Sequence, residues 1–283
     1  MSEHRKELYL IFDESGESGY SDDRKLSDHD FGVMAGFLVP EDEISEIRSQ
    51  LRIITDQLNF STKMHITDLP EAEQIKAREL IFNHLKNRKD VIVYYAQYLD
   101  EHRDDLSFAG KIIKQASERV KNRRIKIGRS EKRELFEVQL FSGILLKASC
   151  FLKQHGYNHL FNLNMISDKT DKGLLKSYEK TACNFSKLAN GTKQIITGYD
   201  SFTQRKVEAH AVIKVKEINT LLGGVSIQIT CEDSPLTFAA DVIANSIRFW
   251  LSSSIANKGR VNLERRESLD GHPMLEQIYG FFK

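Results

Sequence analysis

The chain has 283 residues, of which 40% are hydrophobic and 29% charged, and its formal charge is +1. That length suffices for one large domain or two small ones. The near-zero balance excludes a polycation, so contact with nucleic acid has to come from a local patch, and no apolar stretch approaches the length of a membrane span.

The opening Met1–Glu7 is polar and charged, and the apolar run behind it is too short for a signal peptide. Cys150, Cys183 and Cys231 lie far apart. They lack CxxC spacing, and an odd count argues against a closed disulfide framework, so reduced thiols in a cytoplasmic protein are expected.

Leu8–Asp13 is a short apolar run with two aromatics and predicts a buried strand. A polar loop is expected over Glu14–Asp30, then a second buried strand over Phe31–Val39. Pro40 breaks it, and Glu41, Asp42 and Glu43 suit the first turn of a helix running to about Leu58. Ile44, Ile47, Leu51, Ile54 and Leu58 share one face of that helix. Asp68 or Pro70 opens another, carrying Ile75, Leu80, Ile81 and Leu85. Val91–Leu99 predicts a third strand. Phe108–Val120 reads as helical and Lys121–Lys132 has no clear period, so about 100–133 is expected to be a helical, basic insertion.

Glu134–Gln154 predicts a long buried helix, and Leu160–Ser167 a strand ending at Asp168. A helix over Lys172–Leu188 and a strand over Gln194–Thr197 follow. Lys206–Val215 permits a strand or a helix. Val225–Thr230 predicts a strand, and Pro235 starts a helix containing Asp241, Ile247 and Trp250. The order predicts one α/β domain over residues 1–283, a mixed sheet flanked by helices.

Three acidic positions stand out. Asp13 and Asp168 each end a predicted strand, which holds a carboxylate rigidly with its oxygens outward. Asp241 is a lone acid among Ala239, Ala240, Val242 and Ile243. Burying it without a partner is costly, so a cation or strong hydrogen bonds are expected there. A divalent cation would turn the mutual repulsion of such groups into ligation, and Mg²⁺ or Mn²⁺ takes oxygen ligands. Paired ions of this kind serve phosphodiester cleavage.

These pieces carry a resemblance. Tyr9-Leu-Ile-Phe-Asp-Glu-Ser-Gly16, the strand ending in Ser167-Asp168, and Asp233-Ser234 followed by Phe238-Ala-Ala-Asp-Val-Ile-Ala244 resemble the bacterial family catalogued as domain of unknown function 3800. That family is similar to the ribonuclease H-like superfamily, whose acidic residues bind Mg²⁺ or Mn²⁺ for nuclease or strand-transfer chemistry. The resemblance implies a ribonuclease H-like sheet with Asp13, Asp168 and Asp241 as metal ligands, and Glu14 as a further ligand or a base. Two features depart from the superfamily's simplest pattern: the long piece between Phe31 and Val91, and the difficulty of placing a helix after three consecutive strands. The family also tends to carry a Lys/His pair near Lys63 and His65. There Lys63 would hold a phosphate and His65 would transfer a proton or complete the site; the alternative is an ordinary surface histidine.

His210 reads as structural, and Asp171 and the Asp233-Ser234 pair as helix caps. The run from Arg119 to Arg133 holds eight Lys/Arg and one acid. Within it Arg119, Lys121, Arg123, Arg124, Lys126 and Arg129 are candidates for contact with a phosphate backbone, without sequence readout; a solvated helix end is the alternative. The reading is a cytoplasmic Mg²⁺- or Mn²⁺-dependent nuclease acting on DNA or RNA, in a setting such as bacterial defence or mobile elements. Its rivals are a module binding nucleic acid, a protein or a second copy without hydrolysis, and a metal-dependent nucleotide phosphohydrolase.

Overall fold

A computed structural model describes residues 6–16, 26–58, 65–102, 129–155, 161–168, 172–189, 194–200, 203, 205–211 and 225–280, with the backbone alone at residues 6, 129–135, 186–189, 194–200 and 206–211. The expected helix over Phe108–Val120 and the cationic residues Arg119 to Lys126 lie outside the described residues, as do Lys63 and Asp171. Arg129 opens a helix, but its side chain is outside them too.

Among the described residues there are eight strands: β1 (Lys6–Gly16), β2 (Phe31–Pro40), β3 (Val91–Tyr98), β4 (Phe161–Ser167), β5 (Gln194–Asp200), β6 (Arg205–Ala211), β7 (Ser226–Cys231) and β8 (Ile278–Tyr279). The helices are α1 (Ile44–Asp56), α2 (Glu71–Arg88), α3 (Arg129–Gln154), α4 (Lys172–Ala189) and α5 (Pro235–Lys258). Six strands form one mixed sheet in the order β7-β4-β1-β2-β3-β8. β1, β2 and β3 are antiparallel neighbours, while β4 runs parallel to β1 and β7 parallel to β4. β5 and β6 make a separate antiparallel pair, so the ambiguous stretch is a strand as far as Ala211, and residues 212–215 lie outside the described residues. No helix among the described residues is long and apolar enough to cross a membrane.

Strand alternation assigns each face of the sheet its own core. Ile11, Ala35, Phe37, Tyr94 and Ile166 pack with α1, α2 and α5. Leu8, Leu10, Phe12, Met34 and Met165 pack with α3 and α4 on the other face. The result is three layers, with the sheet in the middle. The α1–α2 excursion explains the long piece between β2 and β3: it leaves the sheet, covers one face and returns beside β2.

Two expectations need correction. Glu14, Ser15 and Gly16 belong to β1, because pairing with β2 continues to Gly16 opposite Gly32. Ile75 is 59% exposed; the buried stripe of α2 is Ala77, Ile81, Phe82 and Leu85, and Ile75 falls outside it.

α5 is the best-anchored helix. Pro235 occupies its first turn, where no backbone N–H is needed, and the Ser234 N–H donates to Thr237 Oγ1 at 3.1 Å. Leu236, Phe238, Val242, Ile243, Ile247, Leu251 and Ile255 are all buried. At about 1.5–3 kcal/mol for each such side chain, their burial far outweighs the cost of one carboxylate among them. His272 packs against this helix. Met274 N–H donates to its Nδ1 at 3.0 Å, and its Nε2 lies 3.1 Å from Ser246 Oγ. Burial pushes its pKa down to about 4, so the imidazole is neutral and structural.

Candidate metal centre

The pairing register places Asp13. Parallel pairing of β1 with β4 stops at Phe12 opposite Ser167. Asp13 is the next residue on β1 and Asp168 the next after β4, so both lie at the carboxyl edge where the two strands part. Asp13 shares its face with Ile11, which turns it toward α5, where Asp241 is the seventh residue. The connection between α1 and α2 supplies His65, immediately before the turn Ile66–Asp68.

Asp13, His65 and Asp241 each offer a ligand atom, and the three atoms lie within 4.8 Å of one another. Asp13 and Asp241 are buried, whereas the His65 side chain is 52% exposed at the mouth. Asp241 Oδ2 accepts the Ile66 N–H at 2.6 Å and lies 3.9 Å from His65 Nδ1. The His65 N–H donates to Asp68 Oδ2 at 2.9 Å, which fixes the turn carrying the imidazole. The structure thus brings His65 to the acidic pair while leaving its side chain half exposed. Asp168 stands outside this group of three but repels each carboxylate in it. Alternation turns Glu14 toward Met34 and the α3–α4 face; it still feels Asp168, His65 and Asp241.

Burial is the largest influence on each acid. It holds the Asp13 carboxyl well above the usual range, with Glu14, Asp241 and Asp168 adding repulsion. Asp241 is pushed up to about 6 by burial; the Ile66 N–H and His65 act in the opposite direction. Glu14 is raised for the same first reason. Such a set is unfavourable when ionised without a counter-charge. Two carboxylates and an imidazole fit a divalent cation. The carboxylates alone would suit Mg²⁺, and the nitrogen donor moves the preference toward Mn²⁺ and later metals.

A stability test follows from the sign of the Asp241 shift. Its folded pKa lies above the ordinary 3.8, so the fold loses stability as pH rises through about 6. In EDTA, Asp241→Asn, which keeps the acceptor for Ile66 N–H, should raise stability at pH about 8 by about 2–3 kcal/mol and change nothing at pH about 4. Thermal melts across that range check it. Equal pH profiles for the two proteins would show that Asp241 carries no strained charge.

Three neighbours went unnoticed in the sequence. Asn245 and Arg248 follow Asp241 by four and seven residues, the spacing of one helical face. Arg78, on α2, donates to Asn245 Oδ1 at 2.8 Å and to Gln74 Oε1 at 3.3 Å. Helical spacing could have found the first two; Arg78 has no linear signal. On the opposite face the Tyr178 hydroxyl is buried, beside Glu14 and Glu137, with no hydrogen-bond partner among the described residues.

No protein-family model and no curated protein matches the chain.

Proposed function

We propose that the chain is a metal-dependent phosphodiesterase, a nuclease with a ribonuclease H-like core related to the domain of unknown function 3800 family. The observation that carries this reading is the meeting of Asp13, His65 and Asp241, from three separate parts of the chain, within 4.8 Å. The order of the sheet supports the fold assignment. Three consecutive antiparallel strands are followed by a helix, α3, and then by strands parallel to the first.

Asp13 and Asp241 would hold a Mg²⁺ or Mn²⁺ ion with His65, and Asp168 adds negative field beside them. The ion would polarise a phosphoryl oxygen and lower the pKa of water at neutral pH. β1 and α5 hold the two carboxylates on rigid elements, and the Ile66 N–H fixes one oxygen of Asp241. His65, half exposed beside the two carboxylates, would complete that ligand set. Glu14 faces the other side of the strand and strengthens the field behind Asp13.

The test is incubation of the purified protein with Mn²⁺ or Mg²⁺ and labelled single- and double-stranded DNA and RNA. Cation-dependent cleavage abolished by EDTA is expected. Turnover of free nucleotides but not polymers would move the assignment to a phosphohydrolase. Absence of both activities, with no cation binding by calorimetry, would end the enzymatic reading.

A further inference from the structure

We infer that Arg78 and Arg248, braced by Asn245, form a phosphate-binding wall beside the metal centre, holding the substrate through its non-bridging oxygens. This rests on the nuclease reading for the identity of the phosphate, and its chemistry is that of a phosphodiester in a nucleic-acid strand.

The wall is built on one face of α5. Asp241, Asn245 and Arg248 succeed one another along it, each about one turn from the next. Arg78 reaches across from α2 to Asn245 at 2.8 Å, close enough for its charge to interact with Asp241. Arg248 lies against the end of β1. A Cβ placed on Gly16 would stand 2.6 Å from Phe31 O and 3.0 Å from Arg248 Nε, and Gly16 has φ +118°, so the strand end that Arg248 packs against favours glycine. Gly16 is three residues beyond Asp13, about 10 Å along the strand, so Arg248 lies against the same end of β1 as that carboxylate.

The pairing of these arginines is what points to a ligand. Asp241 is close enough to act on Arg78, yet neither Arg78 nor Arg248 makes an ion pair among the described residues. Elsewhere Arg48 grips Glu232 with both nitrogens at 2.8 and 3.1 Å, and Arg260 binds Asp100 at 2.6 Å. Arg248 Nε is buried and has no hydrogen-bond partner among the described residues. Leaving such a donor unmet is costly, and a planar guanidinium suits phosphate oxygens. A phosphodiester drawn to the cation would meet donors on this side and carboxylates on the other.

The experiment measures binding, not cleavage. Fluorescein-labelled single-stranded DNA and RNA decamers are titrated in Ca²⁺ with the full chain and with Arg78→Met and Arg248→Met. Each variant should weaken the preferred decamer about tenfold and reduce the slope of log affinity against log salt by about 0.7. Arg248→Lys should recover part of the affinity, since it restores charge without the fork. Arg248→Met should melt no lower than the natural protein, because an unmet buried donor is removed. Mn²⁺ binding by calorimetry should stay within about twofold. Unchanged affinity and slope in both variants would overturn the wall. So would a natural protein with no affinity for either decamer, or weakened binding that comes with a lowered melting temperature and an unchanged slope. Loss of Mn²⁺ binding in the natural protein would instead strike the metal reading, and the decamer titrations would still decide this one.

Discussion

Asp13→Asn should lower cation-dependent cleavage about a thousandfold or more and remove the stabilisation that Mn²⁺ gives the fold. A metal centre supplies several kcal/mol of transition-state stabilisation, and about 4 kcal/mol is a factor of about a thousand in rate. Asparagine keeps the volume and one acceptor oxygen but cannot supply a carboxylate. In the natural protein, Mn²⁺ at a hundred times its dissociation constant should stabilise by about 2.7 kcal/mol. The variant should show none of this, while in EDTA at neutral pH it should be at least as stable, since Asp13 is buried among like charges. Melting with and without Mn²⁺, beside the cleavage assay, separates the outcomes. An Asp13→Asn protein that still melts higher in Mn²⁺ would place the cation elsewhere. His65→Ala, which removes an exposed nitrogen donor, should have the smaller effect.

Lys147→Met should cost about 3–5 kcal/mol of stability, the usual penalty for stranding one member of a buried ion pair. Lys147 Nζ sits 2.6 Å from Glu264 Oε2, and both side chains are about nine-tenths buried. The same ammonium donates to the Gly280 carbonyl and lies 5.7 Å from the centroid of the Tyr94 ring. Glu264 Oε1 accepts the Ala96 N–H from β3 at 2.8 Å, and the Tyr94 hydroxyl donates to Leu263 O at 2.7 Å. One pair thus ties α3, β3 and the segment after α5 together. Burial already raises the Glu264 pKa, and Lys147 is the main influence holding it down. Without Lys147 the folded value climbs further above the ordinary 4.5. The deficit should therefore be largest at neutral pH and shrink below about pH 5. Urea unfolding at the two pH values measures this. The double variant Lys147→Met/Glu264→Gln should recover part of the loss, because no buried charge remains. A deficit under about 1 kcal/mol at neutral pH would mean that the pair is solvated.

Much of the fold was legible because periodicity follows burial. β2 is a continuous apolar run buried on both faces, and α1 shows its stripe plainly at Ile47 and Leu51. β1 ended early in the reading because Glu14, Ser15 and Gly16 resemble a loop; only pairing with β2, a tertiary fact, extends it. Ile75 misled because apolar character alone does not say on which side of α2 it falls. Asp13 and Asp241 could be singled out since each is a lone acid in an apolar element. His65 was open between a surface histidine and a site residue; the α1–α2 connection brings it within 4.8 Å of the acidic pair, which no linear pattern announces. Arg78 lies 167 residues from Asn245, and no local pattern announces that contact. Asp168 had the weakest signal, since a strand followed by Asp is common; it lies outside the group of three, and its charge acts on Asp13 and Asp241.

The alternation that turns Asp13 to one side of the sheet and Glu14 to the other makes β1 intolerant of changes in length. One residue gained or lost between Leu8 and Asp13 would trade the two acids, delivering a longer side chain to α5 and burying the shorter one under α4. Every apolar neighbour in the strand would invert with them. Drift in composition is therefore open to this strand while indels are closed to it, and lineages of such chains should differ in length only at the connectors.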